Sequence, residues 1–159
     1  MSASRISTCL WFNGDPEEAA KHYVSLIPNS RIKSVSRYGP NMPLPEGTPL
    51  MVELELDGAA YMLLNGGPQF PQSEAVSIVV ACDTQADIDR LWEALTANGG
   101  NESQCGWCKD RWGVSWQIVP RQMGAWMTDP DKEKVGRVAA AFMPMKKLDI
   151  ATLEAAFRG

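Results

Sequence analysis

Histidine is almost missing from this chain: one residue, His22, stands in 159. It falls in a helical stretch beside Tyr23 and reads as a surface or half-buried side chain. Basic clusters are missing too. Lys and Arg are scattered, the net charge is −4, and Lys146-Lys147 is the only adjacent basic pair. That pair suits a solvated helix end, and the balance argues against a nucleic-acid or anionic-membrane surface. No stretch approaches the roughly 18 apolar residues that a membrane span requires. The N-terminus shows one Arg and no apolar run before Cys9, so no targeting segment is expected. Without an export signal, the four cysteines read as reduced thiols of a cytoplasmic protein.

What is present is ordinary globular material, with 45% hydrophobic and 21% charged residues. A chain of this length buries roughly 70% of the surface its unfolded form exposes, without staples. Ile6 to Phe12 alternates with period two and predicts a strand. In Asp15-Pro16-Glu17-Glu18, Asp15 is placed to cap a helix, Pro16 fits its first position, and Glu18 sits where a capping box wants a carboxylate. Ala20, Tyr23, Val24 and Ile27 continue at helical spacing to Pro28-Asn29. Arg31–Tyr38 and Leu50–Leu56 alternate as strands, and Asp57-Gly58 predicts a tight hairpin into Ala59–Leu64.

The pattern then restarts. Ala75–Cys82 reads as a strand. Thr84-Gln85-Ala86-Asp87 resembles a capping box, and Ile88, Leu91, Trp92 and Leu95 form an apolar stripe. Asn98-Gly99-Gly100 stops that helix. Short strands follow near Glu102–Cys105 and Trp107–Arg111, and Val114–Val119 is the last. The order strand, helix, three strands thus occurs twice, as a repeat of pattern rather than of letters. The expected fold class is α+β, with two βαβββ modules over 1–72 and 73–120 and a helical tail over 121–159, expected as a single compact domain overall. In the tail, Asp129-Pro130 opens a helix, Pro144 interrupts it, and Asp149 caps a last amphipathic piece. The tail reads as a lid or dimer-packing element.

Chemistry-bearing residues are sparse. Cys105-Gly106-Trp107-Cys108 has the spacing of a redox dithiol, but a strand or hairpin setting points the two thiols to opposite sides, so structural thiols are expected. Glu53 and Glu55 share a strand face, solvated in one reading and turned toward a ligand in the other. Trp11 shares a face with Ser7 and Cys9, while Ser115 and Gln117 share one on the last strand. Trp92 and Trp116 are expected in core or dimer packing.

Several motifs together resemble one family. Leu10-Trp11-Phe12-Asn13-Gly14 precedes Glu17-Glu18-Ala19-Ala20 and Tyr23-Val24-Ser25-Leu26, followed by Pro28-Asn29-Ser30, and Leu64-Asn65-Gly66-Gly67-Pro68 and Cys105–Pro120 complete the set. The chain resembles the PhnB-like branch of the vicinal oxygen chelate superfamily, which includes the glyoxalase, bleomycin-resistance and dioxygenase folds. Members of the branch often carry the label 3-demethylubiquinone-9 3-methyltransferase. The resemblance implies that each module curls its strands into a cup, and that the chain forms a homodimer. In metal-binding members, His or Gln, Glu, His and Glu face inward from strands one, four, five and eight. The matching positions here are Ser7, a residue near Leu63, Ser77 and Gln117. Gln117 is a weak neutral ligand and serine hydroxyls rarely hold a divalent ion alone, so no metal and no cofactor is expected.

The methyltransferase label also lacks its physical basis. A nucleoside-cofactor site wants a glycine-rich turn from a strand into a helix, whereas Gly66-Gly67 leads into Pro68-Gln69-Phe70-Pro71. The expected activity is therefore metal-free binding of a small-molecule ligand in the cup, lined by Ser7, Trp11, Asn65, Ser77 and Gln117. Two alternatives stay open. One is an enzyme of the superfamily acting on a small oxygenated or aromatic substrate, with a metal held atypically through Gln117. The other is a thiol redox protein working through Cys105 and Cys108.

Overall fold

The computed structural model describes residues 5–159, and the chain divides into two compact units, Met1–Gln72 and Ser73–Gly159. The first unit holds β1 (Thr8–Phe12), α1 (Pro16–Leu26), β2 (Arg31–Arg37), β3 (Pro49–Leu56) and β4 (Ala59–Asn65) in one sheet of order β1-β4-β3-β2. β1 and β4 run parallel, and the remaining pairs are antiparallel. The hairpin at Asp57-Gly58 has positive φ at both residues, 47° and 82°, as a type I′ turn requires. Alternation along the strands sends Leu10, Phe12, Val52, Leu54, Leu56 and Leu63 to one face, where they are buried. α1 lies against that face with Ala19, Ala20 and Tyr23 fully buried.

The second unit repeats the plan with different residues. β5 (Ser77–Cys82), α2 (Gln85–Thr96), β6 (Asn101–Glu102), β7 (Trp107–Lys109) and β8 (Ser115–Pro120) form a sheet of order β5-β8-β7-β6. β5 and β8 are parallel, and β8-β7 and β7-β6 are antiparallel. α2 presents Ile88, Leu91, Trp92 and Leu95 to strands that bury Ile78, Cys82, Cys108, Trp116 and Ile118. Each fully buried large apolar side chain of such a stripe contributes roughly 1.5–3 kcal/mol. The fold is thus α+β with two βαβββ-type mixed sheets and helical extensions.

Local expectations fared differently at the two helix starts. Thr84 caps α2 as its box predicts: its Oγ1 accepts from the Asp87 amide at 3.1 Å and donates to Asp87 Oδ2 at 2.8 Å. Asp15 does not cap α1 with its side chain. It sits in the left-handed region at φ 51° with no side-chain cap bond, and Pro16 alone marks the helix start.

After β8 come α3 (Met123–Met127), α4 (Lys132–Phe142) and α5 (Ile150–Arg158). The α4 cap is Asp131 rather than the expected Asp129, since Asp131 accepts from the amides of Glu133 and Lys134. Asp149 caps α5 as expected. These helices close on a small core of Trp126, Val138, Leu148 and Leu153. The segment between α4 and α5 adds backbone bonds to the start of β7: the amides of Cys105 and Gly106 donate to Met145 O and Lys146 O, both at 2.7 Å. The tail is therefore part of the second compact unit, Ser73–Gly159.

The turn between β7 and β8 hangs on Asp110, which is buried. Its Oδ1 accepts from the Trp112 and Val114 amides at 3.0 Å, and its Oδ2 accepts from Trp116 Nε1 at 2.9 Å. Asp110→Ala would strand these donors away from water and is expected to cost roughly 3 kcal/mol in urea denaturation. Asp110→Asn, which retains one acceptor, is expected to lose less in the same measurement.

Candidate functional site

Each sheet has one face under its helix and one face turned away from it. The alternation that buries Leu10 and Phe12 puts Cys9 and Trp11 of β1 on the opposite face, with Met62 and Leu64 of β4 beside them in register. Trp11 is roofed by the segment after β4. Its Nε1 donates to Gly67 O at 2.8 Å, Phe70 meets its ring edge-on with centroids 4.9 Å apart, and the Gln72 amide donates to Trp11 O. A Cβ added at Gly66 would overlap the Trp11 ring, so Gly66 is there for close approach rather than for a phosphate.

Asn65, Ser7 and Leu63 are placed away from Trp11, whereas Glu53 and Glu55 share its face. Asn65 pairs with Phe12, which puts it on the helix side, away from Trp11. It is buried, its Oδ1 accepts from Gly14 N at 2.9 Å, and its Nδ2 donates to Pro49 O at 3.0 Å. Its amide fastens the β1–α1 turn to the sheet. Ser7 is exposed and lies ahead of β1, which begins at Thr8 rather than Ile6. Leu63 is fully buried on the helix side. Glu55 lies on the same face as Trp11 but in a different part of it, ion-paired to Arg31 at 2.7 Å and Lys33 at 3.5 Å. Glu53 is exposed.

The second unit does bring its expected pair together. Ser77 and Gln117 stand on adjacent parallel strands, two positions apart in register, and Gln117 Nε2 donates to Ser77 Oγ at 2.8 Å. Trp107 faces Gln117 across the β7–β8 pair, and Val79 on the same face is 57% exposed. A polar row crosses the sheet at the level of Ser77: Ser115, Lys109 and Asn101 are its successive register partners on β8, β7 and β6. A cleft of about 270 Å³ opens over the β6–β8 part of this row. Sequence patterning missed Lys109, Ser115 and Asn101 as a set, because only the strand register aligns them.

The four positions that hold a metal in metal-binding relatives do not fit one here. One is exposed ahead of its strand, one is an apolar core residue, and the other two bond each other. Among the described residues, no group of three or more His, Cys, Asp and Glu side chains could hold an ion. The cysteine pair does not make a redox site either. Cys105 sits at φ 58° with its Sγ on Met143 O at 3.6 Å. Cys108 is buried under the sheet, where desolvation first, then the charges of Asp110 and Glu102, push its thiol up to about 12. A thiolate nucleophile wants the opposite shift.

This architecture and site define the class: a protein of the vicinal oxygen chelate, or glyoxalase/bleomycin-resistance, superfamily. A family model described as 3-demethylubiquinone-9 3-methyltransferase matches residues 4–119. A solved structure from Bacillus cereus, described as a PhnB protein, is 33% identical, with 74% of this chain and 99% of that chain covered and a TM-score of 0.68. Protein PA1353 from Pseudomonas aeruginosa shares the fold at 24% identity, covering 74% and 97% of the two chains with a TM-score of 0.60. No curated protein matches the chain. The chain belongs to the PhnB-like branch, the family of that model.

Two outcomes check this geometry. Gly66→Ala is expected to displace the Trp11 ring and cost about 1–3 kcal/mol, read by tryptophan emission and denaturant midpoint. The buried thiols fix a pH dependence as well. Burial raises Cys82 from 9.0 to about 11 and Cys108 from 9.0 to about 12. Above pH 9 the unfolded chain ionises these thiols while the folded chain keeps them protonated. Stability is therefore full below pH 9 and falls as pH rises toward 11–12. Cys108→Ala should flatten that fall in denaturation curves taken across the range.

Proposed function

We propose that this chain binds a small molecule on the helix-free faces of its sheets, without the divalent ion that metal-binding relatives hold. The observation that carries the reading is the Ser77–Gln117 hydrogen bond of 2.8 Å. Two side chains at family metal positions use each other as partners and present neutral donors and acceptors on a face that also carries Trp107 and exposed Val79. Polar groups on an otherwise apolar surface are what orient a small organic ligand. Trp11 on the open face of the first unit, held by Gly67 and Phe70, supplies a rigid aromatic wall of the kind such ligands use. The methyltransferase name of the family is not carried over. β4 ends at Asn65 and the next element is a strand, so the Gly66-Gly67 turn feeds no helix N-terminus for a nucleoside cofactor. Among the described residues no helix is long and apolar enough to cross a membrane. The same reading has the chain working as a homodimer in the cytoplasm.

Metal analysis and native mass spectrometry of protein purified from cells without chelator test this directly. The expected result is a co-purifying small molecule with no stoichiometric divalent ion, and a ligand affinity lowered about tenfold in Gln117→Ala. A stoichiometric ion that disappears in Gln117→Ala would overturn the metal-free reading. Sedimentation analysis checks the dimer: a monomer at micromolar concentration removes it.

A further inference from the structure

The cleft of the second unit holds an unmade hydrogen bond. Ser115 is 2% exposed, lines the cleft, and its Oγ has no partner. A buried hydroxyl is normally satisfied, because its desolvation is otherwise uncompensated. Directly opposite Ser115 on β7 stands Lys109, whose side chain is 31% exposed and lines the same cleft. Asn101 flanks Lys109 on β6, and Trp107 supplies an aromatic wall two residues along β7. The sequence patterning put Ser115 on the Gln117 face but left Lys109 and Asn101 unused.

One occupant of the Lys109 ammonium is already visible. The Glu74 carboxylate reaches it at 2.7 Å, from a side chain that is 65% exposed. The hydrogen bond from Lys109, with a backbone hydrogen bond and the Lys109 charge behind it, lowers the Glu74 carboxyl from its ordinary value. The other acid of the cleft, Glu102, is engaged on Trp92 Nε1 at 2.9 Å and Lys146 at 3.4 Å, and among the lining residues Lys109 carries the positive charge.

We propose that this cleft is a binding site for a small carboxylic acid with a flat ring, in which one carboxylate oxygen pairs with Lys109 and the other accepts from the Ser115 hydroxyl, displacing Glu74. The proposal rests on the reading of the chain as a small-molecule binder and names the ligand class for that function. A carboxylate fits where a neutral group does not. It offers two acceptor oxygens to a neighbouring ammonium and hydroxyl, and charge-assisted bonds of this kind are roughly twice as strong as neutral ones. The planar part of the ligand is read by Trp107. Glu74 acts as an internal competitor, so an empty cleft keeps its cation paired and a ligand must outbid an exposed carboxylate held by one short ion pair.

The test is calorimetric titration of the full chain with benzoate and with benzamide, the same ring without the charge. Benzoate is expected to saturate one site per chain and benzamide to bind at least about tenfold more weakly. Glu74→Gln should tighten benzoate by about three- to tenfold, because the competitor's charge is gone. Ser115→Ala should weaken it about tenfold, and Lys109→Gln should abolish the preference for benzoate over benzamide. Equal binding of the two probes, or benzoate affinity unmoved by both Glu74→Gln and Lys109→Gln, overturns the proposal. If Lys109→Gln fails to fold, Glu74→Gln decides alone: no tightening overturns it. A neutral ligand whose binding needs Gln117 and ignores Lys109 overturns the carboxylate assignment and leaves the metal-free reading standing, whereas a stoichiometric metal lost in Gln117→Ala removes that reading itself.

Discussion

The parallel pairing of the first and last strand in each unit is the constraint from which the remainder follows. Neighbouring antiparallel strands can be joined by a tight turn, but a parallel pair needs a crossover. In both units the crossover carries one helix and the two strands that fill out the sheet. One helix can cover one face of a four-stranded sheet. The apolar stripe on α1 or α2 therefore decides which alternating residues become core, and the other set is left available for ligands. Trp11 and Gln117 are on the available side for the same reason that Phe12 and Trp116 are buried.

The two turns beside these parallel pairs are secured in a common way. In the first unit a buried amide, Asn65, accepts a hydrogen bond from Gly14 N and donates one to Pro49 O. In the second a buried carboxylate, Asp110, gathers the amides of its turn and the indole of Trp116. Each is a polar group taken out of water and satisfied locally. Such groups are costly unless fully bonded and specific once they are. They look like functional residues from their chemistry alone, and both serve the fold.

The elements whose chemistry is local were legible in the amino-acid sequence. The Asp57-Gly58 turn, the Thr84–Asp87 cap and the period-two strands each depend on residues a few positions apart, and so does the shared face of Ser115 and Gln117. Asp15 was misread because capping chemistry presumes extended backbone at the cap, whereas this residue takes φ 51°. Ser7 was placed on a strand that starts one residue later, where alternation has no partner to enforce it. Asn65 carries an amide that suits a ligand as well as a turn, and only its pairing with Phe12 separates the two. The row Ser77, Ser115, Lys109, Asn101 was beyond reach for a different reason. Alternation tells which face a residue takes, but the residue beside it is set by register across strands up to tens of positions away.

The backbone bonds from Cys105 and Gly106 to Met145 and Lys146 have a consequence for the order in which the chain is completed. Gln85 reaches Leu148 O across 63 positions of sequence, so the second unit closes its structure only with residues that follow its last strand by a further helix and more. The first unit has all of its strands and its helix by Asn65. During synthesis from the N-terminus, one half has every partner it needs while the other still exposes the start of β7 and the site of Leu148, and this interval is where its apolar surface is most open to the wrong neighbour.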